Sequence, residues 1–289
     1  MKKWFFMLTM LVFIVIVGQQ LQKDQPQREL DRYHSEERYA DEESIVTIEI
    51  DPEQVYKGKL LLINGDYQLH DAGIADDLVM IDREYALKAG YALEGEELTL
   101  SQHVLDAYDM MVKAAQDDHL QNFLLTSGFR SLEQQKQLYE QTGSDYALPA
   151  GFSEHNSGLA LDISSLTSKM ETAPEGKWLQ EYGPQYGFIL RYPEHKRHIT
   201  KIAYEPWHFR YVGLPHSMIM KDRDLVLEEY IEYLAERQEL SVKLMGISYK
   251  VSYYSYQPLI SISLDQHSQY DISGDNRGGI IVTSWTEES

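Results

Sequence analysis

The sequence predicts an α+β fold, and three observations support this prediction. Apolar residues recur at helical spacing in some segments, such as residues 101–115, and they alternate with polar residues in others, such as residues 158–164. Both kinds of segment are mixed through residues 45–238, whereas residues 239–289 contain only short alternating stretches. We therefore expect one main domain of helices and strands, followed by a small C-terminal β appendage.

Residues 1–18 have the pattern of an export signal, because Lys2 and Lys3 precede an uncharged apolar run over residues 4–17. The large residues just before Gly18 do not suit a cleavage site. We therefore predict an uncleaved signal anchor, with the two lysines in the cytoplasm and the rest of the chain outside the membrane. A secreted form is the alternative if the signal is cleaved. A buried core helix is disfavoured, because a wholly apolar helix has no polar face for solvent.

Residues 19–44 are rich in Gln, Glu, Asp and Arg and contain hardly any aliphatic side chain. Such a segment cannot bury enough surface to offset the entropy of ordering it, which predicts a disordered tether. Strand patterns begin at Ile45–Ile50 and continue at Leu60–Ile63, which ends at the turn residues Asn64-Gly65. We interpret both as lead-in elements of the main domain.

The next elements surround a strand-to-helix junction. Residues 101–115 predict a core-facing helix with Ser101 as its N-cap, and residues 123–126 predict a short strand followed by a turn at Ser127-Gly128. Ser131 and Gln134 form a capping-box pattern that begins a second helix. Arg130 therefore lies at the junction between this strand and this helix.

Two later strands are predicted to carry polar side chains on the face opposite the core. In residues 158–164 the large apolar residues alternate, which places Asp162 away from the core. Trp207, Phe209 and Tyr211 alternate in the same way, which places His208 on the opposite face. A helix start at Pro174, a strand over 187–192, a helix over 225–238 and several short strands in 240–286 complete the prediction.

Composition excludes some classes of function. The formal net charge of −20 argues against nucleic acid as the main partner, because such binding requires clusters of Lys and Arg. The chain has no cysteine, so a metal could be held only by His, Asp or Glu. The sequence also lacks the Ser-x-x-Lys, Gly-x-Ser-x-Gly and His-Glu-x-x-His motifs of other hydrolases.

Candidate metal ligands lie in two short clusters. His155 can fold back across Gly158 toward Asp162, and His208 approaches from a neighbouring strand. Two histidines and one carboxylate, with a fourth position open to water or substrate, are a typical ligand set of catalytic zinc. His195 and His198 stand among charged residues instead, which indicates a solvated loop.

Glu205 is a further acidic residue beside this predicted site. In a regular strand Glu205 and His208 would point to opposite faces, but Pro206 cannot join a strand ladder. We therefore expect irregular backbone that lets Glu205 reach the metal site.

The two clusters match a family signature. Residues 153–162 read Ser-x-His-x-x-Gly-x-x-x-Asp and residues 205–208 read Glu-x-x-His. Together with the stretches 146–151, 173–178 and 186–193, they resemble the VanY-type zinc D-alanyl-D-alanine carboxypeptidases. The resemblance implies a Hedgehog-like, D,D-peptidase-like antiparallel sheet with flanking helices.

The resemblance also implies roles for particular residues. It implies one zinc ion per chain held by His155, Asp162 and His208, with Glu205 as the catalytic base. Arg130 would contact either the terminal carboxylate of the substrate or the developing oxyanion. Further substrate contacts are implied for Gln135, Ser153 and Tyr192.

The function that follows is removal of the terminal D-alanine from peptidoglycan pentapeptides outside the cell, which would erase the dipeptide that vancomycin binds. An export segment favours this activity over a cytoplasmic dipeptidase. The alternatives are an L,D-carboxypeptidase that trims tetrapeptides and a non-catalytic wall-binding module that keeps a structural zinc. The expected partners are stem peptides ending in D-Ala-D-Ala and, through the anchor, the membrane. Neither a nucleic acid nor an obligate protein partner is indicated.

Overall fold

Helices and strands alternate along the chain in a computed structural model that describes residues 45–144, 146–258 and 261–287. The helices are α1 (Arg83–Ala89), α2 (Gln102–Asp117), α3 (Leu132–Thr142), α4 (Pro174–Tyr182), α5 (Arg197–Thr200), α6 (His216–Arg223) and α7 (Leu227–Arg237). Short 3-10 helices occupy Pro52–Tyr56, Asp71–Gly73, Glu154–Ser157, Gly183–Tyr186 and Glu194–Lys196. The α+β class is confirmed.

Thirteen strands form four sheets within the described residues. They are β1 (Ile45–Glu49), β2 (Leu78–Asp82), β3 (Ala92–Leu93), β4 (Glu97–Ser101), β5 (Phe123–Ser127), β6 (Ala160–Ser165), β7 (Phe188–Leu190), β8 (His208–Tyr211), β9 (Glu239–Leu244), β10 (Ile247–Ser255), β11 (Ser261–Asp265), β12 (Gln269–Gly274) and β13 (Gly279–Glu287).

The predicted anchor at residues 1–18 and tether at 19–44 lie outside the described residues. None of the helices in the described part of the chain combines the length and the apolar character that a membrane span requires.

The central sheet has five strands in the order β3-β5-β6-β8-β7, and all neighbours are antiparallel except β3 and β5. Strand β6 is in the middle and pairs with β8 so that Asp162 lies opposite His208. The apolar residues of these strands, including Leu161 and Phe209, are buried against α2 in one core cluster. The predicted alternation in β6 is therefore confirmed.

The predicted strand-to-helix junction is also confirmed. Ser131 and Gln134 form a reciprocal capping box at the start of α3, and Arg130 lies directly before it. Ser101 occupies the N-cap position of α2, but its hydroxyl donates a hydrogen bond to Asp77 and does not cap the helix.

The predicted strand at Leu60–Ile63 is wrong. All four side chains are buried, yet the segment forms no strand ladder. Its polar backbone atoms are satisfied in another way, because the Arg210 guanidinium donates to the carbonyl oxygens of Lys59 and Leu61 and the amide of Leu60 donates to Ser273. The run of apolar residues correctly indicated burial but not the pairing.

The prediction that Trp207 shares the apolar face of Phe209 is also wrong. Strand β8 begins only at His208, and Trp207 is 39% exposed at the rim of a cleft. Likewise β7 covers only Phe188–Leu190 of the predicted 187–192. The backbone leaves the sheet at both places because the connection between β7 and β8 turns around Pro193 and Pro206.

The C-terminal strands form a second, four-stranded sheet in the order β12-β13-β10-β9, which packs against α7. The lead-in segment contacts this sheet through the Pro52–Tyr56 helix, which lies against β12 and β13, while β1 pairs with β11 in a separate two-stranded sheet. Tyr253 and Tyr254 pack in the two apolar clusters on either face of the sheet. The domain limits 45–238 and 239–289 stay a prediction.

A buried histidine connects the C-terminal sheet to the helices. The ring of His216 in α6 contacts the Tyr230 hydroxyl of α7 through Nδ1 at 2.7 Å and the Thr283 hydroxyl of β13 through Nε2 at 2.9 Å. A neutral imidazole needs one donor and one acceptor, and the two hydroxyls supply them. Burial lowers the pKa of His216 to about 3.

We predict that His216 makes the fold sensitive to mild acid. Below its unfolded pKa of about 6.5 the unfolded chain binds a proton that the folded chain does not, so the free energy of unfolding falls by up to about 1.4 kcal/mol per pH unit as pH drops from about 6.5 toward 3. Urea unfolding of wild type and His216→Gln, both in excess chelator, measures this slope between about pH 7 and pH 5. The variant should show the shallower slope, and identical slopes would contradict the assignment.

Candidate metal centre and active site

His155 is placed by the 3-10 helix that precedes β6. This helix spans Glu154–Ser157, and Gly158 then turns the chain into the strand with a φ of +83°, a conformation that favours glycine. The Nδ1 atom of His155 lies 2.7 Å from the carbonyl oxygen of Gly128. Because a carbonyl can only accept a hydrogen bond, Nδ1 carries a proton, and Nε2 is the nitrogen that faces Asp162.

Asp162 and His208 face each other from the paired strands β6 and β8. The two carboxylate oxygens of Asp162 lie 3.2 Å from Nε2 of His155 and 3.0 Å from Nδ1 of His208. The ligand atoms of these three residues all lie within 4.8 Å of one another. The structure thus brings together all three residues that the sequence predicts as metal ligands.

The donor set fits a metal ion. In each imidazole one nitrogen faces Asp162 and the other contacts a group farther from the site. That outer contact is the Gly128 carbonyl for His155 and the Glu154 carboxylate for His208. Such outer contacts fix the tautomer and the ring orientation of metal-bound histidines. The three side chains also line an open cleft of about 520 Å³, so protein ligands do not enclose the site.

The protonation of His208 is coupled to this site. Burial lowers the pKa of His208, but its hydrogen bonds to Asp162 and Glu154 outweigh burial and raise the pKa to about 9. A metal cation that bound here would have to displace a proton from Nδ1.

Glu205 lies beside the three ligands. Its carboxylate is 4.0 Å from Nδ1 of His208, and burial raises its pKa. The amide of His208 donates to the carbonyl of Glu205, so the backbone turns at Pro206 as predicted and both side chains face the cleft. A carboxyl group with a raised pKa next to a metal site is suited to accept and return a proton.

Behind His208 lies a fully buried carboxylate, that of Glu154. One of its oxygens is 3.3 Å from Nε2 of His208, and the other accepts from Arg191 at 2.8 Å and from Arg210 at 2.7 Å. Burial opposes ionisation, but the two guanidinium groups outweigh it and hold the pKa of Glu154 well below its usual range. Glu154 is therefore an anion that accepts the Nε2 proton of His208.

The two arginines are themselves held by separate parts of the fold. Arg191 donates to both oxygens of Glu228 in α7 at 2.7 and 2.8 Å, a bidentate ion pair. Arg210 donates to the carbonyl oxygens of Lys59 and Leu61 in the lead-in segment. The support of His208 thus extends from the central sheet to α7 and the lead-in.

Arg130 follows β5 and is fixed on the side of β6 opposite to β8. Its guanidinium donates to Gln135 at 2.7 Å and to Ser127 at 3.1 Å, and its amide donates to the carbonyl of His155. Gln135 is buried and donates in turn to the carbonyl of Leu148, so both of its amide atoms are occupied. This geometry orients Arg130 toward the cleft and gives Gln135 the role of holding it.

Ser153 and Tyr192, the two remaining predicted contact residues, also line the cleft. The Tyr192 ring is tilted against His208 with centroids 5.0 Å apart, and its hydroxyl has no hydrogen-bond partner among the described residues. Burial raises the pKa of Tyr192, so the phenol stays neutral. It can donate a hydrogen bond into the cleft.

Sequence reasoning missed Glu154, Arg191 and Arg210, which are all fully buried. A signal existed for Arg210, because an arginine within an apolar strand must find acceptors when the strand is central. For Glu154 the only signal was its place within the Ser-x-His segment.

The chain is similar to known peptidases. Residues 97–214 match the VanY family model, which is described as D-alanyl-D-alanine carboxypeptidase. A D-alanyl-D-alanine carboxypeptidase from Enterococcus faecium is 42% identical over 292 residues, which cover 98% of this chain and 96% of the relative.

Solved structures show the same fold. One is the vancomycin resistance D,D-dipeptidase VanXYg, solved in complex with a D-Ala-D-Ala phosphinate analog. It superposes with a TM-score of 0.74 at 29% identity, and the superposition includes 84% of this chain and 99% of the VanXYg chain. The LD-carboxypeptidase LdcB superposes with a TM-score of 0.52 at 35% identity, and the superposition includes 59% of this chain and 84% of the LdcB chain. The predicted D,D-peptidase-like fold is confirmed.

We predict that Glu154→Gln weakens metal binding. A neutral amide leaves the two buried arginines undercompensated and removes the anion that orients His208, so the metal dissociation constant should rise about 10- to 100-fold. Competition with a chromophoric chelator measures this on folded protein. Glu228→Gln is the matched control, since it also contacts Arg191 but not His208. Equal loss of metal affinity in both variants would assign the effect to Arg191 and not to His208.

Proposed function

Because the chain belongs to the VanY family of D-alanyl-D-alanine carboxypeptidases, we propose that it hydrolyses the last peptide bond of peptidoglycan stem peptides ending in D-Ala-D-Ala. Loss of the terminal D-alanine destroys the dipeptide that glycopeptide antibiotics bind, so the proposed role is resistance to vancomycin. The observation that carries the proposal is the convergence of His155, Asp162 and His208 at an open cleft that also contains Glu205.

We propose that this site binds one zinc ion per chain. Two imidazole nitrogens and one carboxylate oxygen are preferred zinc donors, and they leave a position free. A bound zinc ion supplies polarisation of the scissile carbonyl and activation of a water molecule. A non-catalytic structural site is disfavoured, because such sites normally have four protein ligands.

The side chains of this protein then perform the proton transfers and the positioning. Glu205 takes a proton from the attacking water and returns it to the departing amine of D-alanine, a double role that a raised pKa favours. Arg130, which is held by Gln135 and Ser127, offers its remaining N–H groups to an anionic oxygen of the substrate. Tyr192 adds a neutral hydrogen-bond donor in the same cleft.

The enzyme acts outside the cell in our proposal, with residues 1–18 as a signal anchor in the membrane. The lysines and the apolar run of this segment support the proposal. Stem peptides of the wall and of membrane-linked precursors are accessible there.

We predict that the protein releases D-alanine from a pentapeptide ending in D-Ala-D-Ala and that a chelator stops the reaction. Pentapeptide, tetrapeptide and free dipeptide should be incubated in parallel, with the amino acid released identified in each. Pentapeptide should be the preferred substrate, and added zinc should restore activity after chelation. A preference for tetrapeptide would instead assign L,D-carboxypeptidase activity, as in LdcB.

Intact cells expressing the full chain should process pentapeptide supplied outside, and activity restricted to lysates would contradict the proposed location.

We predict that Glu205→Ala retains zinc but loses about 10²- to 10⁴-fold in kcat, the usual contribution of a general base. Metal analysis of the purified variant, together with its turnover of pentapeptide, separates binding from catalysis. Glu194→Ala is the matched control, because it removes an exposed carboxylate from the same connection between β7 and β8. Equal turnover in wild type and Glu205→Ala would refute the assigned base.

A further inference from the structure

The connection between β7 and β8 forms one wall of the active-site cleft. Residues 193–204 leave the sheet and return to it beside the metal ligands, since the amide of Glu205 donates to the carbonyl of Tyr192 at 3.1 Å and the amide of Arg191 donates to that of His208 at 3.1 Å. Any side chain that this connection directs toward the cleft therefore lies near the substrate.

One side of the connection is fixed to the region around α7 by contacts with acidic side chains. Lys196 lies 3.0 Å from Glu229 and 3.4 Å from Asp224, and His195 lies 2.9 Å from Asp224. Both side chains thus contact acidic groups of the protein. They hold the wall in place.

The other side of the connection directs Arg197 and Lys201 to the cleft. Both are exposed, and neither has an acidic partner among the described residues, because the Lys201 ammonium donates only to the backbone carbonyl of His198. The chain has 46 acidic and 26 basic residues, yet in its described part these two cations at one cleft have no carboxylate partner. Their exposed charges can pair with an anion from outside the protein.

The exposure of these residues indicates which part of a substrate they meet. The predicted metal ligands His155 and His208 are only 5% and 4% exposed, so the C-terminal residue of the substrate must enter the inner part of the cleft to reach the metal. Arg197 and Lys201 are exposed and lie at its outer part, where the residues that precede the scissile bond would leave the protein. Arg130 comes from β5 and the connection from β7 and β8, on opposite sides of β6.

We propose that Arg197 and Lys201 form an anion-binding subsite for a charge that the substrate carries upstream of the scissile bond. The ligand is a carboxylate or a phosphate, both of which suit a guanidinium and an ammonium at a cleft mouth. The carboxylate would come from an acidic residue of the stem peptide, and the phosphate from the carrier to which a precursor is linked. The inference rests on the proposed function and specifies which substrates the enzyme prefers.

The experiment compares three N-acetylated pentapeptides that share the D-Ala-D-Ala end. One has glutamine in the second position, one has glutamate there, and one keeps glutamine but carries a phosphate monoester at its N-terminal end. Wild type should hydrolyse at least one charged peptide with a kcat/KM about five- to tenfold above that of the glutamine peptide, and added salt should reduce this preference. The peptide that is favoured identifies the source of the charge.

In the double variant Arg197→Gln and Lys201→Gln the ratio of kcat/KM between charged and neutral peptides should fall to about one, mainly through KM. The control pair Arg83→Gln and Lys88→Gln removes the same charge from the exposed surface of α1 and should keep the wild-type ratio.

The outcomes separate two failures. Equal hydrolysis of all three peptides by wild type, or an unchanged ratio in the double variant, would overturn the subsite while leaving the carboxypeptidase intact. No release of D-alanine from any peptide by the zinc-loaded wild type would instead overturn the proposed function.

Discussion

The active site depends on one buried carboxylate. Glu154 has no exposed side-chain surface, and it contacts two guanidinium groups and the imidazole of His208 at the same time. Removing Glu154, Arg191 and Arg210 from water costs several kcal/mol for each charge, and this cost is offset only when each charge is paired with an opposite charge or hydrogen-bonded. Without Glu154, Arg191 would keep only Glu228 as an acidic partner among the described residues, and Arg210 would keep only backbone carbonyls. A residue adjacent to His155 in sequence therefore orients the other imidazole of the site.

The charge network also explains the position of the outer segments. Arg191 extends the network to Glu228 in α7, and Arg210 extends it to the carbonyls of Lys59 and Leu61. Residues 60–63 of the lead-in can consequently be buried without joining a sheet, because a guanidinium provides donors that a neighbouring strand would have provided. The segment is thus part of the support of the metal site, although it contributes no residue to the cleft.

The sequence could predict those features that depend on local spacing. The alternation in residues 158–164, the capping box at Ser131 and the signature around His155 are each decided within a few residues, and the structure contains all of them. The network around Glu154 could not be predicted, because it joins residues 37 and 56 positions apart whose pairing depends on the packing of whole elements. Trp207 was misplaced for a related reason, since Pro206 ends the alternation on which its prediction relied.

The two sides of the site differ in how completely their charges are paired, and this difference is what a hydrolytic site requires. Behind His208 every charged group meets a partner within 3.3 Å, which fixes the imidazole and leaves no group free to react. On the cleft side Glu205 is 4.0 Å from the nearest ligand nitrogen, and Arg130 is held by neutral groups only. Because neither side chain meets an opposite charge at hydrogen-bond distance in the described part of the chain, their charges are available to the substrate and to the charge that develops during hydrolysis.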